Sequence, residues 1–590
     1  MTDRPQNTLT DLWQVLAPYL RAQRGRVAWL TLSVAGGIAV YLINPQIIRL
    51  FIDRAQAQQP MTALLGAAGL YLGLALAQQA LTVLTAWIGE RVSWQATNAL
   101  RADLALHCLK LDMSFHKQRT PGELIERIDG DVNAIGRFLS EFFIQLCSNL
   151  LLVIGIIVIL WLEEWRFGLA VTLVALLSAV YIQWLRPIST QRWARARAAD
   201  ADFYGFLEER LSGREDIRPN GAVAYTVALM QRRLRQVFLT ERSAQVSSAA
   251  LVATPSLSFG LAVAAAYTLG GTLFARSAVT IGTLYLVFSY IDLINDRTWR
   301  LIDQIHRLQQ SQAGIGRVRE LLDIQSRLVD DGSAALPAGP LALEFDQVTF
   351  HYEDDPTPVL RDVTFTLAPR QVLGLLGRTG SGKSTLISLI YRLYDADLGA
   401  VRLGGQDVRD APLGALRQRI GIVTQQVQLF RASLRDNLTF FDPALSDARL
   451  IAALRDLGLG DWFDSQPAGL DTLLQAGGSG LSAGQAQLIA FARVFLRDPD
   501  LVILDEASSR LDPATEQLLE RAVTRLLAGR TAVIIAHRLA TVERADRILV
   551  LDQGRILEQG ERVALAADPT SAYAQLLQRG AAPEWELSDV

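Results

Sequence analysis

Long runs without a charged residue are the feature that most constrains how this chain can fold. A helix rising ~1.5 Å per residue crosses about 30 Å of hydrocarbon in about 20 residues. Five runs at or near this length occupy residues 27–43, 61–88, 142–162, 167–185 and 243–275, and a shorter sixth occupies 277–291. Any one of them is also compatible with a buried core helix. Six of them within about 270 residues predict an all-α polytopic membrane domain with six transmembrane helices.

The distribution of Lys and Arg predicts the orientation of this membrane domain. Residues 1–26, 89–141 and 186–242 together carry 22 of them, whereas the connections on the opposite side carry 4. Because basic residues stay on the cytoplasmic side, we expect both termini in the cytoplasm, two long intracellular loops, and a cytosolic or interfacial helix in residues 1–26. The composition favours a bacterial cytoplasmic membrane.

Composition and charge exclude several classes of protein. Hydrophobic residues make up 50% of the chain and charged residues 20%, which is unlike a disordered or collagen-like chain. The net charge of −3 provides no basic field for a nucleic acid. Cys108 and Cys147 are the only cysteines, so neither a disulfide framework nor a cysteine zinc cluster is expected. Residues 1–13 lack the pattern of a cleaved signal peptide, and none is expected.

The chain changes character after the membrane domain, which we place at residues 27–324. Residues 325–341 are polar and rich in Gly, Pro and Ala, a composition typical of a linker. In residues 342–580, short β-branched runs alternate with helical ones, and residues 581–590 form a C-terminal tail. The alternation predicts an α/β domain with a largely parallel sheet, and the phosphate-binding loop within it makes it a predicted α/β P-loop NTPase domain.

A glycine-rich loop in the α/β domain carries a phosphate-binding pattern. Residues 377–384 fit G-x-x-x-x-G-K-[ST] between an apolar strand and a helical run, the context that the motif requires. The glycines let backbone N–H groups face phosphate oxygens, Lys383 adds a charge for the outer phosphates, and Ser384 offers a hydroxyl to Mg²⁺. A chance glycine-rich turn is the alternative. The ATP-binding residues predicted from this loop are Gly377, Arg378, Thr379, Gly380, Ser381, Gly382, Lys383, Ser384 and Thr385.

Two acids and a histidine stand where buried strands end. Asp505 and Glu506 follow the apolar run 501–504, and the carboxyl ends of parallel strands face the ligand crevice. Asp505 can hold Mg²⁺ through water, and Glu506 can polarise the attacking water. His537 follows the run 531–536 and can contact a γ-phosphate, although a lone histidine is more often structural.

In their order along the chain, these motifs resemble those of ATP-binding cassette (ABC) transporters. The second half resembles the nucleotide-binding domain, and essentially residues 10–580 are similar to an exporter-type (type IV) half-transporter with the membrane domain first. The resemblance implies that Tyr352 stacks on adenine and that Gln425 meets Mg²⁺ and senses the γ-phosphate. Taken alone, each is equally a surface aromatic or a polar loop residue. The catalytic residues implied are Glu506, His537, Lys383 and Gln425, and the Mg²⁺ ligands implied are Ser384, Gln425 and Asp505.

Further segments match the family's motifs. Ser509 and Asp512 match the loop after the catalytic glutamate, and residues 111–132 and 207–217 resemble the intracellular loops that carry coupling helices. A helix N-cap beside a glycine-rich turn is the plain alternative for the signature match. The signature LSGGQ, which meets the nucleotide of a second cassette, is matched by Leu481, Ser482, Ala483, Gly484 and Gln485.

In this family ATP binds between two cassettes that face head to tail, so one cassette per chain implies a partner chain. Two departures from the family pattern bear on that partner. Ala483 replaces a glycine where backbone must approach the nucleotide closely, and Ala476 stands where exporters usually carry a glutamate. Because the phosphate-loop residues are intact while the signature is altered, we predict a heterodimer with a second half-transporter in preference to a homodimer. The homodimer stays open because Ser482 and Gly484 remain.

The resemblance implies ATP-driven export, by alternating access, of a hydrophobic or amphipathic substrate such as a drug, lipid or peptide. A lipid flippase and an ATP-gated channel or regulatory subunit are the alternatives. Charges at membrane depth usually face a cavity or a partner, so Asp292, Asp296 and Arg297 are predicted to line the substrate path. The other interpretation is that they are solvated on a cytosolic extension. Membrane lipids and the substrate are expected partners, and nucleic acid is not.

Overall fold

The computed structural model describes residues 8–505, 513–536 and 539–580. They fall into two compact units. The helical unit comprises Met1–Leu109 and Pro121–Ile324, and the α/β unit comprises Lys110–Thr120 and Gln325–Val590. The short segment Lys110–Thr120 therefore belongs with the α/β unit, although in sequence it lies between helices of the other unit.

The helical unit is built from long helices with short connections. Two π-helical turns, Glu126–Asp131 and Phe138–Phe143, interrupt the helical segment Pro121–Glu163. Its helices, together with α4 of the α/β unit, are α1 Thr8–Arg21, α2 Arg24–Gln56, α3 Met61–Lys110, α4 Met113–Gln118, α5 Pro121–Ile125, α6 Val132–Arg137, α7 Ile144–Glu163, α8 Trp165–Ser212, α9 Arg214–Ile217, α10 Val223–Ala275 and α11 Ile281–Asp323.

Helix length and composition confirm a helical membrane domain. Among the described residues, five helical segments are long and apolar enough to cross a membrane, namely Arg24–Gln56, Met61–Lys110, Pro121–Glu163, Trp165–Ser212 and Val223–Ala275. The sixth predicted span begins α11 and is not among them, because Asp292, Asp296 and Arg297 interrupt its apolar part. At ~1.5 Å per residue, α3, α8 and α10 extend about 70–80 Å, so each continues well beyond a hydrocarbon layer.

A polar cluster joins the ends of α2, α7 and α11 at the connections predicted to be external. Arg49 pairs with Glu163 across 2.6 Å. Asp53 accepts hydrogen bonds from the backbone N–H of Gly282 and from the hydroxyl of Thr280, both at 3.0 Å. A Cβ on Gly282 would lie 2.5 Å from Oδ1 of Asp53, so this approach requires glycine. The cluster ties three helix ends together.

The α/β unit contains two sheets. A six-stranded sheet has the order β10-β9-β3-β8-β7-β6, in which only β10 runs antiparallel to its neighbour. A four-stranded antiparallel sheet has the order β2-β1-β4-β5. The strands are β1 Leu343–Phe350, β2 Leu360–Leu367, β3 Val372–Gly377, β4 Leu398–Leu403, β5 Gln406–Asp407, β6 Ile420–Val423, β7 Leu501–Asp505, β8 Thr531–Ile535, β9 Arg547–Asp552 and β10 Arg555–Glu561.

Helices pack against the six-stranded sheet, which confirms the predicted α/β domain with a largely parallel sheet. Strands β3 and β8 are buried throughout, as expected of parallel strands covered on both faces. The helices are α12 Lys383–Ile390, α13 Leu413–Arg419, α14 Leu434–Thr439, α15 Asp447–Asp456, α16 Gly460–Asp464, α17 Ala483–Arg497, α18 Pro513–Leu527, α19 Arg562–Ala567 and α20 Ala572–Gly580.

Residues 325–341, predicted as a linker, lie along the α/β unit. Arg392 donates to the carbonyl oxygen of Val329 at 2.9 Å, and Asp330 accepts from the backbone N–H of Leu413 at 2.7 Å. Arg419 donates to the carbonyl oxygen of Pro337 at 2.7 Å. This segment therefore has a defined path, because buried or partly buried arginines satisfy its backbone carbonyls.

Candidate nucleotide-binding site

The phosphate loop lies between β3 and α12, at the carboxyl edge of the six-stranded sheet. Gly377, Gly380 and Gly382 have φ values of +146°, +83° and +105°, which L side chains rarely adopt. A Cβ on Gly377 would lie 2.3 Å from the carbonyl oxygen of Leu551, so there is no room for one. The loop thus depends on glycine both for its conformation and for its close approach to β9.

Polar groups inside the loop fit a phosphate ligand. Lys383 is buried, and its Nζ donates to the carbonyl oxygens of Gly377 and Arg378 at 2.6 and 2.8 Å. The Oγ of Ser381 is buried and has no hydrogen-bond partner, which is costly unless a ligand supplies one. A phosphate oxygen accepts from both an ammonium and a hydroxyl, so the donor set matches the predicted triphosphate. Arg378, Thr379 and Ser384 are exposed beside it.

The strand order brings the acidic end of β7 to the same edge as the loop. In register, Asp505 is opposite Ile535 of β8, and Ile535 is opposite Leu375 of β3, which places Asp505 about 10 Å from β3 at two strand spacings. Gln425 is exposed just after β6, the neighbour of β7. Four residues predicted for this site, Glu506, Ser509, Asp512 and His537, lie outside the described residues.

Tyr352 stands directly beside the phosphate-loop helix. Its hydroxyl is 3.0 Å from Oγ1 of Thr385, the buried third residue of α12. The rings of Phe350 and Tyr394 pack nearly perpendicular to it, with centroids 5.0 and 5.3 Å away. The structure therefore brings together an aromatic ring and a phosphate loop that are separate in sequence, the arrangement that a nucleotide with one base and several phosphates requires.

Contacts of α4 with the turn after Tyr352 were not found by sequence reasoning. The Nζ of Lys117 lies 4.1 Å from the centroid of the Tyr352 ring and 3.2 Å from Asp354. Nε2 of Gln118 donates to Glu353 at 3.3 Å. The sequence signal was present, since the run Glu353-Asp354-Asp355 is acidic and α4 ends in basic and amide residues, but nothing local in the sequence pairs the two segments.

Asp112 anchors the start of α4, and we predict an acid-sensitive contact there. Its carboxylate accepts from the backbone N–H groups of Phe115 at 3.2 Å and Arg327 at 2.7 Å. Burial raises the pKa of Asp112, but these N–H donors outweigh burial and hold the pKa below its usual value. The stabilisation is therefore present above pH ~4, the unfolded value, and is lost as pH falls through the depressed folded pKa.

The change Asp112→Ala is expected to cost about 0.5–2 kcal/mol of local stability at neutral pH, as for other N-cap losses. Hydrogen exchange of residues 113–118, corrected for intrinsic rates, measures it between pH 3 and about 7. Asp442→Ala is the matched control, because Asp442 caps only its own exposed turn. Equal protection of α4 in wild type and Asp112→Ala above pH ~5 would contradict the prediction.

The signature segment forms the N-terminus of α17. Oγ of Ser482 accepts from the backbone N–H of Gln485 at 3.1 Å, and Oε1 of Gln485 accepts from the backbone N–H of Ser482 at 3.0 Å. This reciprocal cap uses the side chains of both Ser482 and Gln485 as hydrogen-bond acceptors. On either side of Ser482, Ala483 is exposed and Leu481 is half-buried, and Gly484 is buried. Two of the residues matched to the signature therefore also serve as a helix cap.

Of the three charged residues predicted for the substrate path, Arg297 lines a cavity in the described part of the helical unit. A cavity of about 340 Å³ between α2, α3, α7 and α11 is lined by Arg297, together with Tyr41, Gln145 and Asn149. Asp292 and Asp296 are exposed instead, and Asp296 pairs with Arg300 at 3.1 Å. A second cavity of about 330 Å³, between α7, α8, α10 and α11, is mostly apolar and includes Gln183 and Asn295.

Comparisons with known proteins agree with this site and fold. The family model described as "ABC transporter transmembrane region" matches residues 27–296, and the model described as "ABC transporter" matches residues 360–509. The chain is 30% identical to an ATP-dependent lipid A-core flippase of Syntrophus aciditrophicus (strain SB), with 95% of this chain and 93% of that protein covered.

A secretion protein and an ABC exporter of known structure are also similar to this chain. The cyclolysin secretion/processing ATP-binding protein CyaB of Bordetella pertussis is 30% identical over 92% of this chain and 76% of its own length. A bacterial Atm1-family ABC exporter with ATP bound matches the fold with a TM-score of 0.77 and 27% identity, over 95% of this chain and 99% of that one. This chain belongs to the ABC transporter family, as an exporter-type half-transporter whose ATPase domain follows its integral membrane domain.

Proposed function

We propose that the chain exports an amphipathic or hydrophobic molecule out of the cytoplasm, by alternating access, when ATP binds and is hydrolysed between two head-to-tail cassettes. The observation that supports this most directly is the phosphate loop, with its buried Lys383 and unpartnered Ser381 Oγ, in a chain that also carries a membrane domain with a cavity lined by Arg297 and apolar residues. ATP closing the pair of cassettes shifts the population toward one access state, and hydrolysis removes that bridge.

In the proposed site, each residue has one task. Lys383 and the loop N–H groups hold the outer phosphates, Tyr352 stacks on the base, and Glu506 takes the proton of the attacking water. Ser384, Gln425 and Asp505 would hold Mg²⁺, which neutralises charge on the phosphates. His537 would contact the γ-phosphate, and Ser509 and Asp512 would belong to the loop that meets the second cassette.

The second cassette is proposed to come from a different half-transporter. This chain offers a phosphate loop, Asp505 and Glu506, but its signature carries Ala483 at the exposed start of α17. The methyl group of Ala483 leaves less room than a glycine would for the nucleotide that the partner's cassette binds. We therefore assign the active site to this chain's Glu506 with the partner's signature, and a weaker site to this chain's own signature. A homodimer is the alternative.

The location of Arg297 supports a substrate with an anionic group. Arg297 lies 16 residues after the start of α11, about 24 Å along the helix. Because α11 is proposed to start at the external surface, this depth lies in the inner leaflet of the membrane. Its side chain is 13% exposed, its Nε makes no hydrogen bond, and Nδ2 of Asn149 beside it is also unpartnered. Nε forms an ion pair with Asp296 at 3.7 Å, and Nη1 donates to Oδ1 of Asn149 at 3.4 Å.

A largely buried cation whose Nε still lacks a hydrogen bond, beside an apolar wall, suits an amphiphile whose negative headgroup reaches the inner leaflet. We propose that Asp292 and Asp296, which are exposed on α11, belong to a cavity wall that only the second half-transporter completes. The proposal includes α11 as the sixth span, a bacterial cytoplasmic membrane and both termini in the cytoplasm. Because one relative is a lipid A-core flippase, flipping of an anionic lipid is the more specific form of this function.

The change Arg297→Gln tests the substrate class. For an anionic amphiphile, the concentration that half-stimulates ATPase is expected to rise about 10- to 100-fold, since a hydrogen bond to a charged group contributes roughly 1.5–3 kcal/mol. For an uncharged amphiphile of the same tail, it is expected to change little. ATPase and transport of the reconstituted protein, with and without its partner, measure both across lipid, drug and peptide panels.

The control for this experiment is Arg276→Gln, because Arg276 is an exposed cation at the external end of α10. Its loss changes the net charge equally without touching the cavity. Equal responses of Arg297→Gln to anionic and uncharged amphiphiles would exclude the proposed anion contact, while leaving ATP-driven export itself intact.

A further inference from the structure

The first intracellular loop contacts the turn that follows β1. Its helix α4 is held by Asp112 at one end, and at the other end Gln118 and Lys117 bond to Glu353 and Asp354. Arg327 also pairs with Glu353, at 2.6 Å. The turn that carries Tyr352 is thus held by α4 and by the start of the 325–341 segment within one compact unit.

Lys117 lies on a face of the Tyr352 ring. Its Nζ is 4.1 Å from the ring centroid, the geometry of a cation–π contact. The Lys117 side chain is itself 47% exposed and Tyr352 is half-buried, so solvent reaches the side of the ring on which the ammonium lies. The remaining neighbours, Phe350 and Tyr394, belong to the core side, where both pack with the buried cluster of the α/β unit.

We propose that Lys117 and the adenine of a bound nucleotide compete for the exposed face of Tyr352, so that base binding in this cassette releases Lys117 and loosens α4. The proposal rests on the adenine-stacking role given to Tyr352 under the proposed function. A base arriving from solvent can stack only on the open face, and a ring face holds either a base or an ammonium, but not both.

Magnitudes decide that the nucleotide prevails. Stacking of a base on an aromatic side chain strengthens binding by about 5- to 150-fold, whereas an exposed cation–π contact contributes about 2- to 5-fold. The half-exposed pair of Lys117 with Asp354 adds little. Lys117 therefore lowers the affinity for the base by only a small factor, and binding of the base displaces it.

The competition lowers the affinity of the nucleotide and of Lys117 for the Tyr352 ring reciprocally. By linkage, a nucleotide that weakens the Lys117 contact is itself weakened by that contact to the same factor. The segment that holds Lys117 follows directly on α3, which ends at Lys110, and leads directly into α5, which begins at Pro121. Occupancy of the base site therefore changes how firmly the ends of two membrane-unit helices are held, before any closure of a cassette pair.

Nucleotide affinity of the Lys117→Gln variant is the first test. Both proteins compared are the full chain with its partner in nanodiscs, and both carry Glu506→Gln to prevent turnover. The one that also carries Lys117→Gln is expected to bind ATP about 2- to 5-fold more tightly. Tripolyphosphate, which has no base, is expected to bind equally in both. Lys117→Arg keeps the cation and is expected to keep the original ATP affinity. Displacement of a ribose-labelled ATP measures all three.

Other outcomes of this test overturn the proposal. Loss of a positive charge near the phosphates alone would weaken ATP and tripolyphosphate together, and an unchanged ATP affinity would show that Lys117 does not compete. In a Tyr352→Ala background, Lys117→Gln is expected to have no further effect. If Tyr352→Ala itself leaves ATP affinity unchanged, the adenine-stacking role fails, which is a failure distinct from that of Lys117.

Chemical reactivity of Lys117 provides a second test. The chain has only three lysines, Lys110, Lys117 and Lys383, so an amine-reactive ester followed by mass spectrometry resolves each one. ADP, which carries the base but lacks the γ-phosphate, is expected to make Lys117 more reactive while Lys383 becomes protected. Lys110, exposed at the end of α3, is the internal reference. A Lys117 reactivity that stays constant or falls while Lys383 is protected overturns the proposal.

Discussion

Replacement of Glu506 by Gln is expected to lower ATP turnover of the assembled transporter by about 10²- to 10⁴-fold, the contribution of a positioned general base. Glu506 follows Asp505, which ends β7 at the edge that carries the phosphate loop. Glutamine keeps the size of the side chain and one acceptor oxygen, but its amide cannot accept a proton from water. ATP binding should therefore persist while hydrolysis and transport stop, as release of inorganic phosphate and uptake into vesicles would show.

The control is Glu520→Gln, which removes a carboxylate from the exposed face of α18, where Glu520 makes only a surface pair with Arg544. Turnover of this variant should equal that of the unchanged protein. The proposed heterodimer makes a further prediction: the corresponding substitution in the partner should lower turnover much less, and this chain alone should not form an ATP-hydrolysing dimer. Rapid hydrolysis by Glu506→Gln would remove Glu506 from the mechanism, and a hydrolysing dimer of this chain alone would exclude the obligatory partner.

Replacement of Arg493 by Met is expected to destabilise the α/β unit by about 2–4 kcal/mol, since hydrogen bonds to a charged group contribute roughly 1.5–3 kcal/mol each and do not add fully. Arg493 is 6% exposed, and its guanidinium donates to the carbonyl oxygens of Asn437 and Gln428 and to Oδ1 of Asn437, at 2.6, 2.8 and 2.9 Å. Burial lowers its pKa to about 10, so it remains cationic at neutral pH.

Arg493 connects the signature helix α17 with α14 through Asn437, which is itself fully buried. Its loss leaves buried carbonyl oxygens without a donor, so the apparent melting temperature of the α/β unit should fall by roughly 5–15 °C. Arg497→Met is the matched control, because Arg497 lies one turn further along the same helix and is exposed. Equal melting temperatures for Arg493→Met and Arg497→Met would show that the buried bonds do not hold these helices together.

Much of the nucleotide-binding residue set could be predicted from local sequence, for a physical reason. A phosphate loop needs glycines at positions where φ is positive or a Cβ has no room, and Gly377 and Gly382 meet both requirements. A buried parallel strand reads as a continuous apolar run, as β7 does before Asp505. Such constraints act within a few residues, so they leave a pattern in the sequence.

Contacts between distant segments left no such pattern. Asp292, Asp296 and Arg297 were predicted together because charges at membrane depth usually face a cavity or a partner; Arg297 lines a cavity of the described helical unit, whereas Asp292 and Asp296 are exposed. On a helix, residues one position apart point in directions about 100° apart, so Arg297 and Asp296 face different surroundings within this one chain. The sixth span was likewise predicted from a short apolar run. Because charged residues follow this run closely, α11 is not among the described helices that are apolar enough to cross a membrane.

The amino-acid sequence alone determined the class of this protein, because membrane spans and phosphate loops are specified by residue types at fixed short spacings. Only the tertiary structure decided that α4 contacts the turn after Tyr352, that Ser381 Oγ lacks a partner, and that Arg493 joins two helices. Gln118 and Glu353, for example, bond across 235 positions. Such pairs are chosen by how whole elements pack, and packing depends on every element at once rather than on any local pattern.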